Sequence, residues 1–364
     1  MKRDFSAASI LAHRYDVYVE QAPAGLRVDK EEFWFFTPAA CKQILSSPSF
    51  SSERTDLLSR LQRAGVPALA EFFANWMMYR DGTEHTDRRR AAVAALKHVT
   101  VPADPGTALT LPGDGRELDL VAHFAEPFAW RFMCRAFGVP EDVAHRWHEL
   151  VGLVCSVPGL ISPSAEALLA IEAALIRLRS EVTARSDFRL QVLVKGAAGG
   201  RLNGNALADL VINLLGDGVH PTSAALASEV HARIALDPST AGRDDSFCFY
   251  REAPFQYVAR SSREALEVEG IDIHQGARVV ACIGAAACET IWGTDNPPLT
   301  FGFGRHSCPG RRLAEACVKD GLARFSAWAS GRTLRFDQPE WVDSIGYRAM
   351  ARCAFREISC HDEI

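Results

Sequence analysis

One cysteine near the carboxyl end of the chain lies where its sulfur could act as a metal ligand. Cys308 belongs to the segment FGFGRHSCPG, residues 301–310, which directly precedes a helical pattern. A thiolate just before a helix is stabilised by the helix dipole and by unpaired backbone amides. Gly302 and Gly304 allow positive φ angles that bring amide groups close to the sulfur. The segment therefore predicts a thiolate metal ligand, with Phe301 as an apolar shield against water.

This segment resembles the haem-binding loop of the cytochromes P450, whose pattern is FGxGxHxCxG. Every fixed position of that pattern is met. The resemblance implies that Cys308 ligates the iron of haem b and that His306 binds a haem propionate. Phe301 and Gly302 would belong to the same loop, and Gly310 would let the helix backbone lie against the flat macrocycle. The alternative is a buried cysteine beside a turn, which is the interpretation we give the other nine cysteines.

Two further basic motifs match the same family. His85 and Arg89 are four residues apart in a helical stretch, so they share one helical face suited to binding a carboxylate. They resemble the family's HxxxR pair, which binds a haem propionate, although a solvated basic helix end would look the same. Arg260, six residues after Pro254, resembles the arginine that binds the other propionate. Four basic groups for two carboxylates suit a buried dianionic cofactor.

The long central helix departs from the family pattern. In the family it carries an acid followed by threonine, which relay protons during oxygen activation. Aligned on LLG, residues 214–216, this chain has His220 at the acid position and Pro221 at the alcohol position. Thr222 is one residue further on, rotated by about 100° around the helix, so it should not substitute directly. Candidate catalytic residues are those of this stretch that could carry protons or shape it: Asp217, His220, Pro221 and Thr222.

A basic residue followed by proline resembles the peroxygenase branch of the family, which uses hydrogen peroxide. There the cation anchors a carboxylate that acts as the acid–base catalyst. His220 could do the same when protonated, or act as the acid–base group itself near neutral pH. The alternative is that His220 has no catalytic role and is a core histidine hydrogen-bonded to a backbone carbonyl. Two oxidant sources therefore stay open: hydrogen peroxide, or dioxygen with electrons from a ferredoxin and its reductase, for which Arg305, Arg311 and Arg312 would offer a basic patch.

Two more family features are missing. The slots of the ExxR pair fall on Phe247 and Tyr250, which cannot form the family's buried ion pair, and Arg251 or Asp245 would have to compensate. The stretch between Ala287 and Phe301 is too short for the meander that normally precedes the cysteine loop. These losses leave a second hypothesis open, that the chain is a haem-free P450-like helper subunit of a glycosyltransferase. The intact cysteine loop favours the haem-thiolate enzyme.

The substrate pocket can be placed by resemblance only. Its candidates come from the segment before the HxxxR helix, the central helix, the strand after Pro254 and the C-terminal hairpin: Phe73, Trp76, Met78, Asn213, Gly216, Tyr257, Val258 and Met350. Their aromatic and methionine content favours a small apolar or aromatic organic molecule, such as a natural-product intermediate, although such residues also build ordinary cores.

The elements that must position these residues are mostly helices. Apolar spacing predicts helices over 82–95, 117–157, 164–184 and 203–232, and another after Cys308, whereas 26–50 and the region after 264 contain short strands. The long helix starts at Asn203 or Asn205 and contains Pro221, which predicts a kink or local opening. We expect a mainly α fold with a smaller β part, as in the cytochromes P450, and one domain over 1–364. Helix I would occupy about 203–232 and the haem-binding loop 301–310.

Composition is consistent with this assignment and excludes several other classes. The chain has 364 residues, 48% of them hydrophobic, and a formal net charge of -5, which argues against a nucleic-acid-binding role. Ten cysteines are dispersed without a CxxC pair, which is unlike a disulfide framework or a zinc ribbon. We see neither a signal peptide nor a membrane span and expect a cytoplasmic protein.

Overall fold

The computed structural model describes most of the chain. The described residues are 5–21, 26–27, 31–103, 116–159, 163–202, 204–236, 253–286 and 299–358. Phe247, Tyr250, Asp245 and Arg251 lie outside these ranges, as do Asn203 and most of the stretch between Ala287 and Phe301. The predictions made on them stay predictions.

Helices contain most of the described residues. In chain order they are α1 (Ala7–Gln21), α2 (Pro38–Ser46), α3 (Thr55–Arg63), α4 (Pro67–Asn75), α5 (Gly82–Lys97), α6 (Glu126–Phe137), α7 (Glu141–Ser156), α8 (Ala165–Ala184), α9 (Arg189–Ala198), α10 (Gly204–Val230), α11 (Ile283–Ala286) and α12 (Arg311–Ala329). Short 3-10 turns occupy Met77–Tyr79, Val157–Gly159 and Gly304–His306, and π turns occupy Val121–Ala125 and His231–Leu236.

The strands are short. They are β1 (Leu26–Arg27), β2 (Glu32–Phe35), β3 (Phe50–Ser51), β4 (Leu118–Asp119), β5 (Val258–Ser262), β6 (Leu266–Val268), β7 (Ile271–Ile273), β8 (Arg278–Ala281), β9 (Leu334–Phe336), β10 (Glu340–Trp341), β11 (Met350–Arg352) and β12 (Ala354–Glu357). The mainly α fold with a smaller β part is therefore confirmed.

The chain divides into two compact units. The first comprises Met1–Ser51, Thr107–Ala129 and Pro221–Ile364, and the second comprises Ser52–Gly106 and Trp130–His220. Every strand of the described residues belongs to the first unit, whereas the described part of the second unit is helical. The prediction of a single domain stays a prediction.

The first unit is organised around a five-stranded sheet with the order β1-β2-β8-β5-β3. β2 and β8 are parallel, with Trp34 opposite Val280, and the other pairs are antiparallel. Its two faces are covered by separate apolar clusters, because alternate side chains of a strand point to opposite faces. Phe33 and Phe35 join one cluster, whereas Trp34 joins the other. This sheet carries Arg260 on β5.

The second unit is held together by a buried polar network as well as by apolar packing. Asp209 on α10 is fully buried and accepts two hydrogen bonds from Arg179 on α8, at 2.7 and 2.8 Å. It also accepts one from Asn75 at the end of α4, at 2.8 Å. Arg88 on α5 donates to the Asn75 amide oxygen at 2.6 Å, and Arg179 reaches Glu71 at 3.0 Å. One network therefore connects four helices of this unit.

The long central helix has almost the bounds that its apolar pattern predicts, about 203–232. α10 begins at Gly204 and runs without a break through Pro221 to Val230, where a π turn follows. The sequence offers Asn205 as one of two possible caps, but Asn205 lies inside the first turn and donates to the Glu71 carboxylate at 3.0 and 3.1 Å. The cap prediction is wrong for Asn205, because a short amide side chain there finds a carboxylate acceptor on another helix.

A carboxylate in the second unit gives a prediction about acid stability. Glu181 accepts hydrogen bonds from Arg146 at 2.9 to 3.1 Å, from the Trp147 indole at 2.8 Å and from Arg177 at 2.9 Å. These donors, led by Arg146, lower the pKa of Glu181 to about 2. Since the folded pKa lies below the unfolded one, this contribution is present above about pH 4.5 and is lost as the pH falls towards 2.

Glu181→Gln should therefore lower the free energy of unfolding by about 1 kcal/mol near neutral pH, after allowance for solvent screening of the exposed arginines. Urea unfolding of both proteins at several pH values measures the difference, which should vanish as the pH approaches 2. The control is Glu149→Gln on α7. The Glu149 side chain is exposed, and its Oε1 atom lies 3.8 Å from His145 Nδ1. A pH-independent difference between wild type and Glu181→Gln would contradict the prediction.

Among the described helices, none combines the length and the apolar character that a membrane crossing requires.

Candidate functional site

The Cys308 segment forms a tight loop that ends where α12 begins. The Cys308 amide donates to the Phe301 carbonyl at 2.7 Å, which closes the loop, and Ser307 donates to Gly304 at 3.1 Å. Gly310 follows as the cap residue of α12. Cys308 is exposed, whereas the other described cysteines are buried or half-buried. The loop therefore presents this sulfur at the surface of its unit, just before a helix of 19 residues.

Two glycines explain why the loop can adopt this shape. Gly302 and Gly304 have φ angles of 70° and 68°, in the left-handed region that other residues rarely occupy. A Cβ on Gly304 would also lie 3.0 Å from the Leu45 carbonyl oxygen and 3.0 Å from Ser46 Cα, at the end of α2. The loop thus packs directly against the backbone of α2, and any side chain at Gly304 would push it away.

Basic residues flank the loop. Arg305 donates to the Ser47 carbonyl at 2.6 Å, which adds a second attachment to the end of α2. The Arg311 guanidinium lies 5.2 Å from the centre of the Phe301 ring, a cation–π distance. Phe301 is therefore covered on one side by Arg311, and it is half-buried. The packing of these residues fixes the backbone on both sides of Cys308.

The predicted propionate-binding residues are placed in both units. In the first unit, His306 is half-buried in the Cys308 loop, and Arg260 is buried on β5, where its guanidinium donates to the Ala259 carbonyl at 3.0 Å. In the second unit, His85 is buried and Arg89 is half-buried. Both lie on α5 four residues apart, so they share a helical face as the sequence predicted. Neighbouring Arg88 belongs instead to the Asn75 network.

The middle of α10 exposes a narrow face. From Ala208 to Val230 every residue is buried except four: Asp217, Gly218, His220 and Pro221. Their spacing places them on one side of the helix. Thr222 is buried, at 2% exposure, so it lies off this face, in keeping with its expected rotation. The candidate catalytic residues Asp217, His220 and Pro221 thus share an accessible surface, and Thr222 does not.

One contact on this face joins Asp217 to a residue far away in the sequence. The Trp76 indole, at the end of α4, donates to the Asp217 carboxylate at 2.9 Å. Burial raises the pKa of Asp217 to about 7, although the Trp76 hydrogen bond acts in the opposite direction. The sequence indicated both residues, but their pairing across 141 positions carries no local signal.

The other pocket candidates are also divided between the units. In the second unit, Phe73 stacks on Trp76 with ring centres 5.0 Å apart, and Gly216 lies against the Cys155 side chain. Asn213 is buried, and neither polar atom of its amide has a hydrogen-bond partner among the described residues. Met78 is half-buried there. In the first unit, the strand candidates Tyr257 and Val258 are half-buried, and the hairpin candidate Met350 is buried.

Three curated proteins are similar to this chain in sequence, and their names all describe cytochromes P450 or oxygenases. A search of protein-family models found no match. The chain is 26% identical over 228 residues to a biotin biosynthesis cytochrome P450 of Bacillus subtilis, covering 55% of this chain and 57% of that protein. It is 28% identical over 230 residues to a 20-oxo-5-O-mycaminosyltylactone 23-monooxygenase of Streptomyces fradiae, covering 57% and 53%. The matches thus span little more than half the length of these two relatives.

A third relative is matched over more of its length. The chain is 25% identical over 334 residues to a nocardicin C N-oxygenase of Nocardia uniformis, which covers 80% of this chain and 81% of that protein.

Solved structures agree on the fold. The structure of P450BioI in complex with an acyl carrier protein ligated to hexadec-9Z-enoic acid matches with a TM-score of 0.78 at 18% identity, covering 96% of this chain and 100% of that one. The structure of CalO2 matches with a TM-score of 0.78 at 19% identity, covering 97% and 95%.

The helices, the sheets and the cysteine loop therefore define a chain with the cytochrome P450 fold. In sequence the chain is similar to three curated relatives, which are a cytochrome P450, a monooxygenase and an N-oxygenase.

Proposed function

We propose that the protein is a haem-thiolate oxidoreductase that oxidises a small organic molecule, in particular a natural-product intermediate. The observation that carries the proposal is the exposed Cys308 in a glycine-shaped loop before α12. The relatives support the reaction class, since two of them are named as a monooxygenase and an N-oxygenase. The P450BioI structure contains an acyl carrier protein bearing a fatty acid, so a substrate bound to a carrier protein belongs to the proposed range.

The residues present fit a haem. Cys308 supplies a soft thiolate ligand for the iron. In the first unit, His306 and Arg260 would supply basic groups to the propionates, and Arg260 is buried, where a cation benefits from an anionic partner. His85 and Arg89 of the second unit are assigned to a propionate by the resemblance alone. Haem b, when bound, supplies an iron centre that activates an oxygen donor and transfers an oxygen atom to the substrate. Gly310, whose Cβ position lies 3.8 Å from the Cys308 sulfur, leaves space on that side of the thiolate.

We further propose that His220 performs the proton transfers that the family's acid–threonine pair performs. His220 retains accessible surface on the same face of α10 as Asp217, whereas Thr222 is buried away from it. An imidazole can both accept and donate a proton near neutral pH. Pro221 has no hydroxyl and no backbone N–H, so it contributes shape and not protons.

Two oxidants are compatible with this proposal. With hydrogen peroxide, one oxygen atom goes to the substrate and the other leaves as water. With dioxygen, two electrons and two protons are required as well, and a ferredoxin and its reductase would deliver the electrons. The replacement of the acid–threonine pair favours peroxide, since that oxidant already carries the electrons and protons that the relay would otherwise supply.

The cofactor assignment is tested by the ferrous–CO difference spectrum of the purified protein. Thiolate ligation gives a strongly red-shifted Soret band, and a colourless protein would contradict the proposal. None of the relatives described above is a glycosyltransferase helper, so that alternative gains no support from them.

His220→Ala should lower peroxide-driven oxidation of a phenolic dye by about 100-fold, a typical contribution of a general acid–base group. The measurement is the initial rate with hydrogen peroxide, compared with NADPH-driven oxygen consumption in the presence of a ferredoxin and its reductase. The exposed His145→Ala on α7 is the matched histidine control and should not change either rate. Reductase-driven turnover that is fast without peroxide and is unaffected by His220→Ala would contradict both the His220 role and the preference for peroxide.

A further inference from the structure

The Asp217 carboxyl group on the accessible face of α10 has no cationic partner among the described residues. Asp217 Oδ2 accepts a hydrogen bond from Trp76 Nε1 at 2.9 Å. No other donor and no cationic side chain contacts this carboxyl group among the described residues. A carboxylate withdrawn from water without a cation is costly, and such groups in proteins are paired, protonated or functional.

The side chains around Asp217 do not compensate its charge. Trp76 and Phe73 are apolar rings, and the Tyr79 ring centre lies 5.5 Å from that of Trp76. Burial and the nearby Asp217 charge together raise the pKa of Tyr79 to about 12, although Arg54 opposes them. The same two effects raise the pKa of the Cys155 thiol, so both groups stay neutral at physiological pH. On its own helix, the titratable neighbour that shares its face is His220, one turn away.

Asn213 is a second polar residue on the same helix, and its amide makes no hydrogen bond within the part of the chain that the structure describes. Asn213 lies one turn before Asp217, four residues away, which places the two side chains on adjacent positions of one helical face. Both polar atoms of its amide are buried without a hydrogen-bond partner among the described residues. A buried amide that makes no hydrogen bond costs roughly 1–3 kcal/mol, which a ligand carrying a polar group could recover. Asn213 and Asp217 are therefore two polar residues one turn apart within an otherwise apolar part of the helix.

We propose that Asp217 is the anchor for a positively charged nitrogen of the substrate, so that the substrate class is an organic ammonium compound. This inference rests on the proposed function and deepens it, because it assigns Asp217 to substrate recognition and leaves His220 as the acid–base group. Trp76 donates to one carboxylate oxygen, and the Asp217 residue retains some accessible surface on this face of α10.

A cation fits this setting better than a neutral hydrogen-bond donor does. A neutral donor would leave the negative charge uncompensated, whereas an ammonium group supplies an opposite charge where water cannot screen it well. The aromatic rings of Trp76 and Tyr79 favour a cation as well, because the ring face is electron-rich. An apolar part of the same ligand would lie against Phe73 and its neighbours.

The test uses two ligands of equal shape, benzyltrimethylammonium and neopentylbenzene, in which a carbon replaces the charged nitrogen. A quaternary nitrogen has no lone pair and cannot coordinate haem iron, so direct ligation does not confuse the result. Calorimetry on the haem-loaded protein measures both dissociation constants. Above the pKa of Asp217, the cation should bind roughly tenfold or more tightly than its neutral counterpart.

The pH dependence and two variants make the test specific. Below about pH 7 the cation must displace a proton from Asp217, so its affinity should fall by up to about tenfold per pH unit, while the neutral ligand shows no such fall. Asp217→Asn should abolish both the preference for the cation and this pH dependence. Trp76→Phe keeps the carboxyl group but removes its hydrogen bond, so the preference should persist at high pH with its midpoint shifted upwards.

Equal affinities of the two ligands in the wild type would overturn the inference. A preference that survives Asp217→Asn would overturn it too, as would loss of dye oxidation in that variant without any change in ligand preference, which would make Asp217 a proton-transfer group. The ferrous–CO spectrum of the same samples reports haem ligation separately. Absence of its thiolate band together with a retained cation preference would contradict the proposed function alone.

Discussion

Cys308→Ala should abolish the red-shifted ferrous–CO band and remove most of the haem from the purified protein. The thiolate is the only soft ligand that the 301–310 loop offers, and an alanine at this position cannot bind iron. The basic side chains proposed for the propionates would still attract the cofactor, so a residual fraction of weakly held haem with an unshifted Soret band is expected. Haem content per chain and the CO difference spectrum measure the two effects.

The matched control is Cys317→Ala. Cys317 is a fully buried cysteine on α12, nine positions after Cys308, and burial raises the pKa of its thiol well above the usual value. It is an inert core residue by this criterion, and its replacement should keep the red-shifted band. A thiolate-type band that persists in Cys308→Ala, or one that is lost in Cys317→Ala, would contradict the assignment of the ligand.

The cysteine loop illustrates what a sequence can predict. Gly302, Gly304 and Cys308 are fixed by local constraints, because the positive φ angles and the bond from the Cys308 amide to Phe301 arise within ten residues. The long helix was equally accessible, since its apolar period continues over many turns. Local patterns thus predicted α5, α8 and α10 to within a few residues of their ends. The single helix predicted over 117–157 is wrong, because that stretch contains β4, a π turn, α6 and α7.

Long-range polar pairing could not be predicted in the same way. The hydrogen bond between Trp76 and Asp217 joins residues far apart in the chain, and neither residue type indicates which partner it will have. The spacing from His85 singles out Arg89 in the sequence, but nothing in the sequence indicates that neighbouring Arg88 is buried against Asn75. Helix α9 was also missed, because its short pattern over 189–198 adjoins the glycine-rich stretch and reads as part of a connection.

The buried network of the second unit leads to the largest expected effect on stability. Asp209→Asn should lower the free energy of unfolding by roughly 3–5 kcal/mol, the cost of leaving a buried charge without its partner. Arg179 would keep its charge at 8% exposure and retain only Glu71, whose side chain is 43% exposed. Urea unfolding followed by circular dichroism measures the change.

Glu71→Gln is the control for this experiment, because it removes the partner at the exposed edge of the same arginine. An exposed ion pair contributes less than about 1 kcal/mol, so this variant should be close to wild type. Similar losses in both variants would contradict the argument, since they would mean that burial does not set the cost.

The double variant Arg179→Met with Asp209→Leu separates the charge from the packing. Burial raises the pKa of Asp209 in spite of its hydrogen bonds from Arg179 and Asn75, so the ionised pair already bears a substantial desolvation cost. Removing both charges together should therefore destabilise the protein less than Asp209→Asn does, even though Asn75 loses an acceptor. If the losses of the single variants Arg179→Met and Asp209→Leu simply add in the double variant, the two side chains are not coupled, which would contradict the argument.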